Sequence, residues 1–147
     1  MSIQQEDRIG FGTDGSVWHS SRDTAIKACY RKDNYRDEVR CYEIFKNRKI
    51  RKIKGLSVPI LEGCDDELLV FEMTIVEPPY LLDFGKVYVN RPPPYRLSEM
   101  PNWHEKLREE FGEHSSKVYA VLSALRQLNI HYVDPRPGNI NFGDEEQ

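Results

Sequence analysis

The stretch IGFGTDGSVW (residues 9–18) decides how the start of the chain folds, because three glycines stand at fixed spacing between apolar residues. Glycine lets backbone N–H groups approach phosphate oxygens with no Cβ in the way. Val17 and Trp18 continue as an extended segment, which favours a glycine-rich hairpin over a loop that opens a helix. An ordinary glycine-rich turn is the alternative at this point. The three glycines are Gly10, Gly12 and Gly15.

Outward from this loop, the apolar pattern predicts short strands and one helix. Residues 24–30, TAIKACY, form a mostly apolar run that is typical of a buried strand. Residues 34–47 place four apolar side chains at helical spacing, with Asn34 as the expected N-cap. Further strands are predicted near 58–63 and 67–75, separated by a turn at residues 64–66.

The second half of the chain reads as helices around a stiff connection. Residues 78–101 contain six prolines, which excludes a long regular element there. Helices are predicted around 98–111 and 113–128, followed by a loop and a short strand within HYVDPRPGNINF (131–142). The second helix is expected to carry one apolar stripe, formed by Val118, Val121, Leu122, Leu125 and Leu128. Strands with one helix, followed by helices, predict the α+β class.

Length and composition indicate one globular domain. A chain of 147 residues is about one domain at ~100–200 residues each, and its 11% of aromatic residues excludes disorder. The longest apolar runs are far shorter than the ~20 residues that span a bilayer, and no signal peptide is recognisable. Three cysteines without CxxC spacing are typical of reduced thiols, so we expect a cytoplasmic protein. A net charge of −3 does not favour bulk nucleic-acid binding.

Four more residues extend the pattern toward phosphate chemistry. Lys27 on its strand could hold phosphate oxygens, and Glu38 on the following helix could orient it. Asp134 and Asn139 stand five residues apart in DPRPGN. In that arrangement the aspartate could accept a hydroxyl proton, and the asparagine could bind a cation.

Taken in order, the glycine loop, AIK (residues 25–27), Glu38 and DPRPGN (134–139) resemble the protein-kinase-like superfamily. The resemblance spans about residues 9–142 and is nearer to bacterial kinase-like proteins and small-molecule kinases than to eukaryotic protein kinases. It implies a single miniature kinase-like domain. An N-terminal antiparallel sheet with one helix would occupy about 1–76, and a reduced helical part, about 77–147, would end at the catalytic loop.

The resemblance implies ATP and Mg²⁺ as cofactors and a role for each matching residue. Asp134 would be the catalytic base, Lys27 would pair with Glu38 and the phosphates, and Asn139 would bind the metal. The other implied nucleotide contacts are Gly10, Gly12, Gly15, Val17, Ala25, the hinge backbone of Glu72, Met73 and Thr74, and Arg136 at the position of the loop lysine.

Two departures from the family pattern leave the metal site open. Tyr132-Val133 precede Asp134 where His-Arg is usual, and eight residues after Asn139 are too few for a downstream Asp-Phe-Gly and its helices. An Asp83-Phe84-Gly85 does occur, but before the catalytic loop. It is interpreted as a helix start or turn in which Leu81, Leu82 and Phe84 pack, while Asp83 could instead reach a ribose or act as second metal ligand. Asp144 in the acidic tail is a further candidate ligand, and a solvated tail is favoured.

Two functions follow from the resemblance. The first is phosphoryl transfer from ATP to an unknown protein or small-molecule acceptor. The second is a pseudokinase that acts as a nucleotide-binding or protein-interaction module without turnover. A missing C-terminal lobe would leave apolar surface uncovered, so a homodimer or partner contact is expected.

The run KNRKIRKIK (46–54) holds six basic residues. It is interpreted as a solvated face, with a docking patch for an anionic partner as the alternative. It lacks the interleaved aromatic residues on which single-stranded nucleic acid stacks.

Overall fold

In the part of the chain that the structure describes, short strands and three α-helices form an α+β arrangement. The computed structural model describes residues 8–11, 15–82, 84, 86–93, 102–133 and 135–143. Gly12, Asp83, Asp134 and Asp144 lie outside the described residues, as do positions 98–101 of the helix predicted at 98–111. In chain order the elements are β1 (Arg8–Phe11), β2 (Gly15–His19), β3 (Thr24–Cys29), α1 (Lys32–Asn47), β4 (Lys52–Ile53), β5 (Leu56–Ser57), β6 (Leu61–Asp65), β7 (Val70–Thr74), β8 (Tyr80–Leu81), β9 (Val87–Val89), α2 (Trp103–Phe111), a 3₁₀ helix (Gly112–His114), α3 (Ser115–Arg126), β10 (Ile130–Tyr132) and β11 (Ile140–Asn141).

The first half of the chain forms a five-stranded antiparallel sheet in the order β1-β2-β3-β7-β6. Helix α1 packs against it through one apolar stripe, and the four predicted side chains are all buried. These side chains are Tyr35, Val39, Tyr42 and Phe45. The α+β class predicted from the sequence is confirmed.

Helix α1 begins two residues before the predicted start. Its N-cap is Arg31 in extended conformation, with no side-chain capping hydrogen bond. Asn34 therefore lies inside the first turn, and the prediction that it is the N-cap was wrong. Asp33 in that turn stabilises the positive end of the helix dipole instead.

The turn between β6 and β7 also lies later than predicted. Strand β6 continues to Asp65, with Cys64 paired to Phe71, so the turn occupies residues 66–69 rather than 64–66. The Asp65 carboxylate explains the shift, because its Oδ1 accepts the backbone N–H groups of Glu67 (3.0 Å) and Leu68 (3.1 Å).

Two smaller sheets complete the arrangement, and one of them joins the halves of the chain. A four-stranded sheet has the order β11-β8-β5-β4, and β9 pairs with β10 in a two-stranded sheet within the second half. Strand β5 of the β4–β5 hairpin, which comes from the first half, pairs in parallel with β8 through Ser57 and Tyr80. The short strands β4, β8 and β9 were not anticipated from the sequence pattern.

The helices of the second half bury apolar stripes against this sheet region. The predicted helix at 113–128 is divided into the 3₁₀ helix and α3, which ends at Arg126. Its predicted stripe is buried except at Leu128, which lies beyond the helix and is half-buried. Within the part of the chain that the structure describes, no helix combines the length and apolarity that crossing a bilayer requires. The buried members of the stripe are Val118, Val121, Leu122 and Leu125.

Candidate functional site

A buried ion pair joins the sheet to helix α1. The Lys27 ammonium on β3 lies 2.8 Å from Oε1 of Glu38 and donates a hydrogen bond to Oε2 at 3.2 Å. The side chains of the lysine and the glutamate are only 6% and 1% exposed. Charges this deeply buried are tolerated only when they are paired, so each residue requires the other.

Two further predicted nucleotide contacts share the sheet face of Lys27. Val17 on β2 stands directly opposite Lys27, and Ala25 precedes it by two positions on the same strand. Side chains two positions apart on a strand point to the same face. Val17 is half-buried and Ala25 is buried, so the structure places two apolar side chains next to Lys27 on the same face of the sheet.

The predicted hinge residues are already bonded within the sheet. Glu72 pairs with Ile26 of β3 on one side and with Gly63 of β6 on the other. Its carboxylate accepts hydrogen bonds from Arg22 and Thr24. Since Phe71, not Glu72, is opposite Lys27, the Glu72 side chain points to the other face of the sheet.

Thr74 is bonded in the same way. Its backbone N–H donates to the Ile60 carbonyl at 2.9 Å, and its hydroxyl accepts the Ile60 N–H at 2.9 Å. Met73 is opposite Ala25 and shares its face. The structure therefore does not bring Glu72 to Lys27, and strand β7 occupies the backbone of the predicted hinge.

The glycines of the first hairpin have structural roles of their own. Gly10 on β1 pairs with Val17 of β2. At Gly15 a Cβ would lie 2.3 Å from the Ala28 carbonyl oxygen of the neighbouring strand. Strand packing alone therefore requires glycine at position 15, whatever the hairpin binds.

Two strand–loop–strand units in the second half pair with each other at both ends. Strand β8 pairs antiparallel with β11, and β9 pairs antiparallel with β10. The loop at 82–86 joins β8 to β9, and the loop at 133–139 joins β10 to β11. We call residues 82–86 and 133–139 the paired loops. The pairing at both ends brings the described residues of these two loops close to each other.

Hydrogen bonds connect the paired loops directly. The Leu82 N–H donates to the Asn139 carbonyl at 2.7 Å, and the Tyr132 hydroxyl donates to the Leu82 carbonyl at 2.7 Å. Val133 N–H donates a longer bond, 3.4 Å, to the Lys86 carbonyl. In the sequence, Asp83 directly follows Leu82, and Asp134 directly follows Val133.

A tight turn positions Asn139 at the end of its loop. The backbone N–H groups of Asn139 and Ile140 both donate to the Arg136 carbonyl at 2.9 Å. Asn139 is half-buried, whereas Arg136 is exposed. The structure thus places Asn139 against β8 and places Arg136 at the surface.

An aromatic cluster connects α1 to the paired loops. Phe84 has no exposed surface, and its ring centre is 5.3 Å from that of Tyr42 on α1 and 5.5 Å from that of Tyr132 on β10. Tyr42 in turn lies 5.5 Å from Phe71. The packing predicted for Phe84 is confirmed. Since Tyr42 is one helical turn beyond Glu38, the cluster ties the buried ion pair to the loop at 82–86.

A second ion pair between α1 and the segment after β9 was missed from the sequence. The Arg91 guanidinium lies 2.6 Å from Oδ2 of Asp37, whose side chain is 8% exposed, and stacks over the Tyr88 ring at 4.8 Å. Burial raises the pKa of the Asp37 carboxyl, and the Arg91 cation opposes that rise. The available signal was an aspartate directly before Glu38 in an otherwise apolar helix face.

The described residues do not assemble a complete metal site by themselves. Among them, no three His, Cys, Asp or Glu side chains are grouped closely enough to hold a metal ion. Asn139 is the predicted ligand that is described, while Asp83, Asp134 and Asp144 lie outside the described residues. The donor types in the paired loops, carboxylate and amide oxygen, are those that Mg²⁺ prefers.

No protein-family model matches this sequence, and a search of curated proteins gives no significant match.

Proposed function

We propose that this chain is a compact kinase-like protein that binds ATP with Mg²⁺ and transfers the terminal phosphoryl group to an acceptor hydroxyl. The observation that carries the proposal is the pairing of β8 with β11 and of β9 with β10, which brings the described residues of the two loops close to each other. The buried Lys27–Glu38 pair supports it independently.

Lys27 would position the nucleotide. An ammonium on β3, next to the hairpin of β1 and β2, can hold phosphate oxygens if its own position is fixed. Glu38 provides that restraint, because the lysine cannot leave the carboxylate without exposing an unpaired buried charge. Val17 and Ala25 would supply the apolar surface for the adenine ring.

Asp83 and Asn139 would hold the metal together. In the superfamily that the sequence resembles, the metal-binding Asp-Phe-Gly follows the catalytic loop in the chain. Here the hydrogen bond from Leu82 N–H to the Asn139 carbonyl supports an equivalent arrangement with the opposite order of the two loops. Mg²⁺ bound there would neutralise phosphate charge, as in other phosphoryl-transfer sites.

The chemical step needs one proton acceptor. The acceptor oxygen would attack the γ-phosphorus, and the bond from that phosphorus to the β–γ bridging oxygen would break. Asp134 would take the hydroxyl proton, and the electron pair of the broken bond would remain on ADP. Catalysis of this kind depends mainly on positioning and electrostatic stabilisation.

Titration calorimetry with ATP and Mg²⁺ tests nucleotide binding. We expect the intact chain to bind, Lys27→Met to weaken binding about tenfold or more, and the matched surface variant Lys32→Met to leave it unchanged. Since Lys27→Met strands a buried carboxylate, the double variant Lys27→Met/Glu38→Leu provides a second, uncharged comparison. Failure of the folded intact chain to bind ATP would overturn the proposal.

Turnover is tested separately with radiolabelled ATP and generic hydroxyl acceptors. Asp134→Asn is expected to preserve ATP binding and abolish transfer, and Asp83→Asn to weaken the Mg²⁺ dependence of ATP binding. ATP binding by a chain that transfers no phosphate would contradict the transfer step and favour a pseudokinase module. If the Mg²⁺ dependence of ATP binding were the same in Asp83→Asn as in the unchanged chain, Asp83 would not be a metal ligand.

A further inference from the structure

Residues 46–54, here the basic segment, concentrate positive charge on one short surface. Its six lysine and arginine side chains are all exposed, and the chain without this segment would carry a net charge of −9 rather than −3. Lys46 donates to the Leu61 carbonyl at 3.0 Å. Within the described residues, no acidic side chain pairs with the other five: Arg48, Lys49, Arg51, Lys52 and Lys54.

A tight hairpin holds the end of the basic segment in place. Lys54 and Gly55 connect β4 to β5, and both have positive φ, 49° and 84°, as in a two-residue hairpin turn. Ile53 and Leu56 on either side of this turn are buried. The exposed Lys54 side chain therefore lies at the tip of a hairpin whose flanking residues are anchored in the core.

A cavity of about 370 Å³ lies beside this hairpin. It is mostly apolar, and the charged side chains among the described residues that line it are lysines from the hairpin and from α3. The Lys117 ammonium also lies 5.7 Å from the centre of the Phe142 ring. The volume falls within the range of roughly 300–1,000 Å³ for ligand pockets. The lining residues of this hairpin cavity are Lys54, Gly55, Leu56, Pro79, Lys117, Ala120, Val121 and Phe142.

A second cavity, about 780 Å³ along the outer face of α1, does not select an occupant by charge. Basic and acidic side chains line it in equal number, and we call it the α1 groove. Its charged lining residues are Lys32, Arg36, Arg40, Glu43, Asp66 and Glu67.

We propose that the hairpin cavity and the basic segment together bind an acidic segment of a partner protein. One apolar side chain of that segment would fill the cavity, and neighbouring carboxylates would pair with Lys54 and the other exposed cations of the basic segment. A nucleic-acid backbone would satisfy the cations but leave the apolar cavity unused, and the basic segment has no aromatic residue for stacking on bases. An acidic segment with an apolar anchor uses both features.

Fluorescence anisotropy on the full chain tests this docking with synthetic peptides. The probe is a labelled peptide of Glu and Asp residues with one central Phe, compared with the same peptide carrying Ala for Phe or Lys for each acid. We expect the first to bind, the Ala peptide to bind about tenfold more weakly, and the Lys peptide not to bind. A labelled DNA duplex of similar charge is measured in parallel.

Two variants and a matched control locate the site. Ala120→Trp fills the cavity from an exposed helix position, and Lys54→Glu reverses the charge at the hairpin tip. Each is expected to weaken binding of the Phe peptide about tenfold or more, while Arg36→Glu in the α1 groove changes it by less than about twofold.

Three results would overturn the proposal. The first is equal affinity for the Phe and Ala peptides with tighter binding of the duplex, which would indicate a nucleic-acid surface. The second is an equal loss of affinity in Arg36→Glu, which would indicate unspecific attraction. The third is the absence of peptide binding up to about millimolar concentration. These measurements require neither ATP nor Mg²⁺, so their outcome is independent of the proposed phosphoryl transfer.

Discussion

At Gly15 the distance between two strands leaves no space for a side chain. The Ala28 carbonyl oxygen would lie 2.3 Å from a Cβ at this position, which is far inside contact distance. This glycine therefore serves the β2–β3 pairing, and its place in a glycine-rich pattern is not by itself a sign of phosphate binding. At this position strand packing and phosphate binding would both require glycine, so the residue type does not distinguish between them.

We expect Gly15→Ala to destabilise the protein by about 1–3 kcal/mol, because the strands must separate to admit the methyl group. Gly63→Ala is the matched control, since nothing lies within 4 Å of a Cβ at that position of β6. Urea unfolding monitored by circular dichroism measures both free energies. A loss for Gly15→Ala no larger than that of the control would contradict the steric account.

At the scale of elements, helix α1 links the sheet to the second half of the chain. It carries Glu38 toward β3, Tyr42 toward Phe84, and Asp37 toward Arg91. The polar residues Asp37 and Glu38 are buried beside the apolar stripe of α1 because each forms an ion pair with another part of the chain. A shift of α1 would disturb the ion pair and the loop at 82–86 together.

The Asp37–Arg91 pair predicts a pH-dependent effect. Burial raises the pKa of Asp37 in the folded state, so the stability linked to this group is greatest at low pH and declines as pH rises through the folded pKa. Arg91 limits that decline. We expect Arg91→Met to cost about 1–2 kcal/mol at about pH 7 and less at about pH 4, because a larger fraction of Asp37 is then protonated and carries no charge for Arg91 to pair with.

The control for this prediction is the same substitution in an Asp37→Asn background. There Arg91→Met should cost the same at both pH values, because the titrating group is gone. Thermal unfolding at the two pH values measures the difference. Equal costs in the original Asp37 background would show that the pair does not act through the carboxylate.

What the sequence predicts depends on whether the signal is local. The stripe Tyr35, Val39, Tyr42 and Phe45 repeats within one helix, and it is buried as predicted. The β6–β7 turn was predicted too early in the chain. The Asp65 side chain accepts the backbone N–H groups of Glu67 and Leu68 and so places the turn after residue 65, which the turn composition alone does not indicate. Strand β8 has only two residues and its partner β11 is about sixty positions away, so neither carries a periodic pattern.

The candidate site follows the same rule. The resemblance implies a pair between Lys27 and Glu38, and the two side chains do meet. The hinge at Glu72, Met73 and Thr74, which the resemblance implies, stays a prediction. The strand register pairs Glu72 with Ile26 and Gly63, and this long-range pairing is not visible in the sequence. That Asn139 contacts Leu82 could not be predicted, since it depends on long-range strand pairing.

At the scale of the whole molecule, one hydrophobic core runs through both halves. Buried side chains of the first sheet, α1, Phe84, α2, α3 and the short strands form a single cluster. Three large apolar side chains in the described part are well exposed: Tyr30, Leu68 and Ile75. The homodimer or partner contact expected from an uncovered apolar surface stays a prediction.

A continuous core predicts one cooperative unfolding transition. Trp18 lies on β2 and Trp103 on α2, so each tryptophan reports on a different half. In Trp103→Phe and Trp18→Phe, the fluorescence of the remaining tryptophan should give the same midpoint as circular dichroism. Midpoints that differ between the two halves within one variant would contradict a single unit.

The pairing of β8 with β11 also determines when this region can form during synthesis. Ribosomes add ~5–20 residues per second, so about 3–12 s separate the emergence of β8 from that of β11. Throughout that interval Leu81, which is fully buried in the finished protein, has no strand partner on that side. The strands of the first sheet are complete by Thr74 and can close earlier. The region around Asn139 therefore assembles after the first sheet, and the apolar side chains that it covers stay exposed in the newly made chain until then.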